Sequence, residues 1–415
     1  MEDDWAWMIN SFKKYKHLHM YELSQPTKVL EWAKPEGVFV ADSTSVNNRY
    51  EVLILSLPPK LVSSHTDYSK LTKDRDFKML SGGFHNQPVH SMAMVSKQHF
   101  VTSSPSDTCD MLLWEIQEDK DFIVTKDSFK GQRSETYDAT HETCCSSIAG
   151  NPHEKFQVAR GSVFQNLEVV DLESGKALWS NKVKDNSNHP IGSIDFTDKS
   201  SILVCDATNG LLSMFDTRYS SDKETTTHTS SSVKSQSVIS HPEEDSQKSE
   251  ADEESRPNMG TISGPPWTCS INIPSRHNRE TTVTEDGGNK LAAVLSPKGE
   301  VIVYDLRNVN KPLCSATVTN KRKAFSPCIR WSPTQKNLLS VSGWDDCIKI
   351  YDITTFKSQP SKSELAEPMF IHDGHTTTQE EASWVVNHIW HEEEPNLLLS
   401  AGSDGSLHAW EWLPT

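Results

Sequence analysis

The chain has 415 residues, a net charge of −16 and 35% hydrophobic residues. That balance has the wrong sign for an extended nucleic-acid surface, and the basic runs Lys13-Lys14 and Lys321-Arg322-Lys323 are not linked into a stripe. No window approaches the ~18 apolar residues needed to span a bilayer. The start, Met1 to Trp5, has neither the basic residues nor the apolar run of a signal peptide, and no Asn-x-Ser/Thr sequon occurs. The expectation is a cytoplasmic protein with no direct contact to nucleic acid or membrane. The eight cysteines form no C-x-x-C pair, and several lie in apolar strand patterns, where a thiol acts as a small buried hydrophobe.

In chain order, Trp5, Met8, Ile9 and Phe12 recur at i, i+3, i+4 and i+7, which predicts a short N-terminal amphipathic helix over residues 1–16. Asp3 and Asp4 open it, and Lys13, Lys14 and Lys16 stand at or beyond its end, as its dipole prefers. Packing on the chain's own body is preferred to docking on a partner. An apolar strand ending in an aromatic-plus-acid pair then recurs. Its members begin at Leu112, Leu167, Leu212, Val301, Ile348 and Leu407, and an earlier, weaker one at Tyr50 makes seven repeats. Each is preceded by a second strand and a turn, and Asn209-Gly210 and Asp404-Gly405 supply the positive φ of a tight hairpin. A third strand comes before that, as in Pro327–Ser332 and Val386–Trp390. Such radial repetition is the signature of an all-β, seven-bladed WD-repeat β-propeller over residues 17–415.

Spacing supports the count. From Trp114 the aromatic positions follow at 56, 45, 89, 47 and 59 residues, and only the 89 stands out. It contains residues 220–258, rich in Ser, Thr and acids; without those 39 residues the interval is 50. The stretch has too little apolar content to offset ordering entropy and reads as a long disordered acidic loop. The last repeat has only three strands near the C-terminus, and a propeller does not leave such an edge open. Residues 17–23, His17 to Leu23, are the expected closing strand, paired with the strand around Leu407–Trp412.

Three groups of residues invite a chemical reading. His375, Ser400, Asp404 and Trp410 suggest a hydrolase at first sight. In WD repeats, however, these residue types form a structural tetrad in which the loop His contacts the turn Asp and the chain runs through the Ser to the indole. No G-x-S-x-G elbow exists to expose the serine. His372-x-x-His375 and His388-x-x-His391 fall in a loop and a strand, with no acid or cysteine completing a ligand set. No metal, cofactor or catalytic residue is therefore expected. Trp344, in the turn Ser342-Gly-Trp-Asp-Asp346, is either a partner anchor flanked by Asp345 and Asp346 or an indole folded onto a neighbouring blade. Trp5 and Trp7 are the next candidates for partner binding.

The chain also resembles the WD repeat-containing protein 73 family. The matching residues are Asp3-Asp-Trp5, Val29-Leu-Glu-Trp32, Gly37–Ala41, Arg75–Lys78, Gly82-Gly-Phe84, Val169–Ser174 and Ser406-Leu-His408 with Trp410. The resemblance implies a non-enzymatic assembly factor that associates in the cytoplasm with the RNA endonuclease heterodimer of the Integrator complex and steadies it before nuclear import. It also implies a link to spindle poles and microtubules in dividing cells, as a cytoskeletal adaptor. A hydrolase using His375, Ser400 and Asp404 is the remaining reading from another class.

Overall fold

The computed structural model describes residues 13–33, 37–42, 44–45, 49–58, 76–106, 108–117, 120–132, 146–181, 189–219, 265–272, 290–308, 311–321, 323–358, 365–375 and 383–413. They form seven antiparallel sheets arranged as blades. Blade 1 holds β2 (Thr27–Ala33), β3 (Gly37–Asp42), β4 (Tyr50–Ser56) and β5 (Lys78–His85). Blade 2 holds β6 (Ser91–Met94), β7 (His99–Ser103), β8 (Met111–Ile116) and β9 (Ile123–Phe129). Blade 3 holds β10 (Ser147–Gly150), β11 (Gln157–Gly161), β12 (Glu168–Asp171) and β13 (Lys176–Ser180). Blade 4 shows three strands among the described residues, β14 (Ile191–Phe196), β15 (Ser201–Asp206) and β16 (Leu212–Asp216). Blade 5 holds β17 (Thr268–Ile271), β18 (Leu291–Leu295), β19 (Glu300–Asp305) and β20 (Cys314–Thr317). Blade 6 holds β21 (Cys328–Trp331), β22 (Leu338–Ser342), β23 (Ile348–Asp352) and β24 (Phe370–His372). Blade 7 is β25 (Val385–Trp390), β26 (Leu397–Gly402) and β27 (Ser406–Trp412), completed by β1 (Tyr15–Glu22) from the other end of the chain.

Each aromatic-plus-acid segment is the third strand of its blade. The first strands touch in the order β2, β6, β10, β14, β17, β21, β25 and back to β2, so the ring is closed. The core is correspondingly divided. Seven buried clusters each join two neighbouring blades, such as the one combining Val303 and Ala316 of blade 5 with Leu339 and Tyr351 of blade 6. A blade buried on both faces needs no polar alternation. That is why Leu291–Leu295, Leu338–Ser342 and Leu397–Gly402 are buried at every position. The hairpin glycines Gly210 and Gly405 have φ of +70° and +92°, as their turns require.

Strand β1 lies antiparallel to β27, with Tyr15 opposite Trp412, Leu18 opposite Trp410 and Glu22 opposite Ser406. It begins at Tyr15, two residues earlier than the sequence pattern indicates, and ends at Glu22. The helix expected over residues 1–16 is not borne out. Tyr15 and Lys16 are extended because they belong to the strand paired with β27, only Lys13 and Lys14 of the expected span are helical among the described residues, and residues 1–12 lie outside them. The expected acidic insertion at 220–258 also lies outside them.

Candidate functional site

The last repeat brings its polar residues together inside the closing blade. Trp410 and Ser400 are fully buried, and His375 nearly so. The indole Nε1 of Trp410 donates to Ser400 Oγ at 3.1 Å. Ser400 Oγ lies 2.7 Å from His375 Nε2, and His375 Nδ1 lies 2.7 Å from Ser406 Oγ. Ser406 Oγ donates to Asp404 Oδ1 at 2.6 Å, and its backbone N–H reaches the same oxygen at 3.0 Å. The proton direction follows from the ends. Ser406 spends its hydrogen on Asp404, so it accepts from His375 Nδ1–H, and Nε2 accepts from Ser400. Every bond then points the same way, from indole to carboxylate, which strengthens the chain cooperatively.

The sequence reading placed His375 directly on Asp404. Ser406 stands between them instead, because a tight turn at Gly405 brings the Ser406 hydroxyl and backbone N–H back onto the Asp404 carboxylate. Ser406 was legible in principle. Ser406, His408 and Trp410 alternate along β27 and therefore share one face. A substrate has no route to Ser400, and His375 has both ring nitrogens engaged. The set fixes strands and is not poised for nucleophilic attack.

A second group overlaps the first. His372, His375 and His408 place ligand-type nitrogens within 4.8 Å of one another, a convergence missed because His408 is distant in sequence and Tyr15 more distant still. The tyrosine hydroxyl lies 2.7 Å from His372 Nδ1, and His372 Nε2 lies 3.1 Å from His408 Nδ1. Burial pushes the Tyr15 phenol well up, so it donates, leaving His372 Nε2–H to donate to His408. Burial holds His372 and His375 well below the usual histidine range, with His408 adding to the shift, and brings His408 down to about 4. All three rings are thus neutral at pH 7. Three imidazoles are a suitable donor set for a transition metal. Here, though, both nitrogens of His375 and of His372 and the Nδ1 of His408 are spent on hydrogen bonds, and His408 stacks on His375 at 3.9 Å between centroids. A metal would have to displace bonds that already satisfy the cluster.

Trp344 is not an exposed anchor. It is 6% exposed, packs in the layer between blades 5 and 6, and donates its indole N–H to Pro297 O at 3.0 Å. The turn after β22 is short and lies against blade 5, so the ring gains more by folding onto that blade than by facing water. Asp345 is likewise occupied, with Lys321 Nζ at 2.8 Å and the Cys347 N–H at 3.1 Å; Asp346 lies 3.4 Å from the Cys347 thiol. Trp5 and Trp7 lie outside the described residues.

Exposed apolar side chains occur elsewhere around the ring, Leu178 on β13 and Ile371 on β24 among them, and several lie on or beside the outer strands of blades 7, 1 and 2. Met20, Met79 and Phe84 are 54%, 61% and 53% exposed, and Leu80 and Phe122 are also open. They adjoin one another: Tyr21 packs on Phe77 beside β5, and Phe122 bridges to Gly82. The pattern Lys78-Met-Leu80 carried this signal as apolar residues on an outer strand, which composition alone does not distinguish from core.

A closed ring of seven blades, six of them showing four strands and blade 4 three among the described residues, with a Trp–Ser–His–Ser–Asp chain pinning the last, defines a WD-repeat β-propeller. No family profile matches the chain. It is 29% identical to the Integrator complex assembly factor WDR73 of Mus musculus, over 98% of this chain and 97% of that protein. It is 28% and 27% identical to the proteins of the same name from Danio rerio and Homo sapiens, again over 98% of this chain. This full-length similarity supports assignment to the WDR73 family.

Proposed function

We propose that this protein is a non-catalytic scaffold that helps assemble the Integrator complex, binding its RNA endonuclease heterodimer in the cytoplasm before nuclear import. The observation that carries this reading is the end-to-end similarity to proteins named Integrator complex assembly factors. Two physical features support it. The serine and histidine that would suggest catalysis are buried and hydrogen-bonded, and the aspartate is engaged by Ser406 through Oδ1. The apolar rim across blades 7, 1 and 2 is the kind of surface that marks protein–protein contact. A net charge of −16 works against direct attachment to the acidic microtubule surface.

Affinity capture of the full-length protein from cytoplasmic extract, read by quantitative mass spectrometry, tests the proposal. Enrichment of the Integrator endonuclease subunits is expected, with replacement of Met79 and Phe84 by Ser reducing it. Capture that lacks those subunits would overturn the reading.

A further inference from the structure

The first strands of the blades surround a central cavity of about 420 Å³. Glu31 on β2, Asp195 on β14 and Arg330 on β21 line it, and Glu392, in the turn between β25 and β26, stands at its edge. The wall is otherwise made largely of small or neutral residues such as Ser91, Ala149 and Ser193. Two of the charged groups are not fully satisfied by direct contacts, although Asp195 and Arg330 attract each other through space. Among the described residues Asp195 makes no hydrogen bond or ion pair. The Nε–H of Arg330 is buried with no acceptor. Charges removed from bulk water without direct partners cost several kcal/mol each, and such groups in a native fold call for an explanation outside the protein's own atoms.

The sign of the cavity says what fits. Two carboxylates, Glu31 and Asp195, face one guanidinium. Burial pushes the Asp195 carboxyl up to about 7; Arg330 opposes the shift and Glu31 adds to it. That shift reflects burial; the sign of the lining comes from the formal charges, and with both carboxylates ionised two acids to one guanidinium leave one net negative charge. A bare metal ion is a poor match, because it wants several oxygens at once and no group of three ligands forms here among the described residues. A guanidinium or ammonium on a long stem is a better one. It carries its charge to the middle of a narrow channel while its backbone stays near the mouth, and a cavity of this size lies in the range of small ligand sites.

We propose that the central channel receives a basic side chain, arginine or lysine, from a partner protein. Asp195 and Glu31 supply the counter-charge, and Arg330 donates to a carbonyl oxygen of the inserted segment. This rests on the reading of the protein as a binding scaffold and adds to it a specific recognition chemistry.

The test uses the full chain and three capped tripeptides, acetyl-Gly-X-Gly-amide with X as arginine, citrulline or glutamate, titrated by NMR or calorimetry. Arginine should bind saturably, citrulline about tenfold more weakly, and glutamate not at all. D195N should weaken the arginine peptide about tenfold while its melting temperature stays level or rises, since asparagine removes an incompletely compensated charge. E31Q should weaken the same peptide. A merely structural Asp195, serving Arg330, would instead lower the melting temperature in D195N and overturn the proposal. So would equal binding of citrulline and arginine. Absence of saturable binding also overturns it. Peptide binding that persists when Integrator subunits fail to co-purify would remove the partner's identity and leave the channel chemistry standing.

Discussion

Blades 6 and 7 use the same strand serine in two ways. In blade 7, Ser400 is served from within the blade by the loop histidine His375 and by Trp410 of β27. In blade 6 the equivalent Ser340 has no loop histidine before it, and Tyr351 replaces the tryptophan, turning its hydroxyl to Val318 O of blade 5 at 3.2 Å. Ser340 is instead bonded from blade 7, by His388 Nε2 at 2.7 Å and Trp390 Nε1 at 2.7 Å, while His388 Nδ1 holds Ser342 at 2.9 Å. One network pins strands within a sheet, and the other pins sheet to sheet. The difference matches the mechanical need. Blade 7 contains a strand with no covalent link to its neighbours except through the whole chain, so it needs internal fastening. Blade 6 is continuous and lends its serine to the seam.

Other seams of the ring are stitched in a similar way. Trp331 Nε1 donates to Ser270 O of blade 5 at 2.9 Å, and Trp32 Nε1 to Trp390 O of blade 7 at 2.6 Å. An indole at the end of a first strand reaches back one blade in each case.

The contrast can be broken at its strongest point first. Trp410→Ala should lower stability by about 3–5 kcal/mol, the range for a buried large aromatic, because it removes both the packing with Phe370 and the bond to Ser400. Chemical denaturation measures it; an unchanged midpoint would show that the closing blade does not depend on the chain of bonds.

His375→Ala and His388→Ala separate the two networks. Each removes two hydrogen bonds to serine hydroxyls, at a combined cost of about 2 kcal/mol. Hydrogen exchange should then show β1 and β27 opening in the His375 variant and the β22–β25 seam loosening in the His388 variant. Identical exchange patterns in both would mean that the two networks are one cooperative unit.

Acid should act where blades 6 and 7 meet. His372, His375 and His408 are held below the usual range, His408 at about 4, so from pH 6.5 downward the unfolded chain takes up protons that the folded blades refuse. Their stabilising contribution is complete above about pH 6.5 and falls by roughly 1.4 kcal/mol per pH unit for each such histidine as pH drops toward its folded value. Denaturation at pH 7 and pH 5 should show this slope, and His408→Gln should reduce it. The smallest effect is expected for Tyr15→Phe, which removes the bond to His372 and keeps the ring contacts with Phe370 and Trp410, at about 1 kcal/mol. No change in the thermal midpoint would indicate that packing alone holds β1.

Much of this architecture was legible in order. The seven third strands, the hairpin glycines at 210 and 405, and the grouping of His375, Ser400, Asp404 and Trp410 follow from local pattern, because hairpin and strand geometry are set by residues close in sequence. What tertiary structure alone decided depends on residues brought together from afar. Tyr15 meets His372 across 357 positions, and His408 joins His372 and His375 only once two strands and a loop have packed. Trp344 shows the same limit. Its turn position leaves the indole free to face solvent or blade 5, and the choice falls to blade 5 because that neighbour offers an apolar layer and the carbonyl of Pro297. Asp195 and Arg330 are ordinary strand residues in the sequence, and closure of the ring is what brings them together on the wall of its central channel.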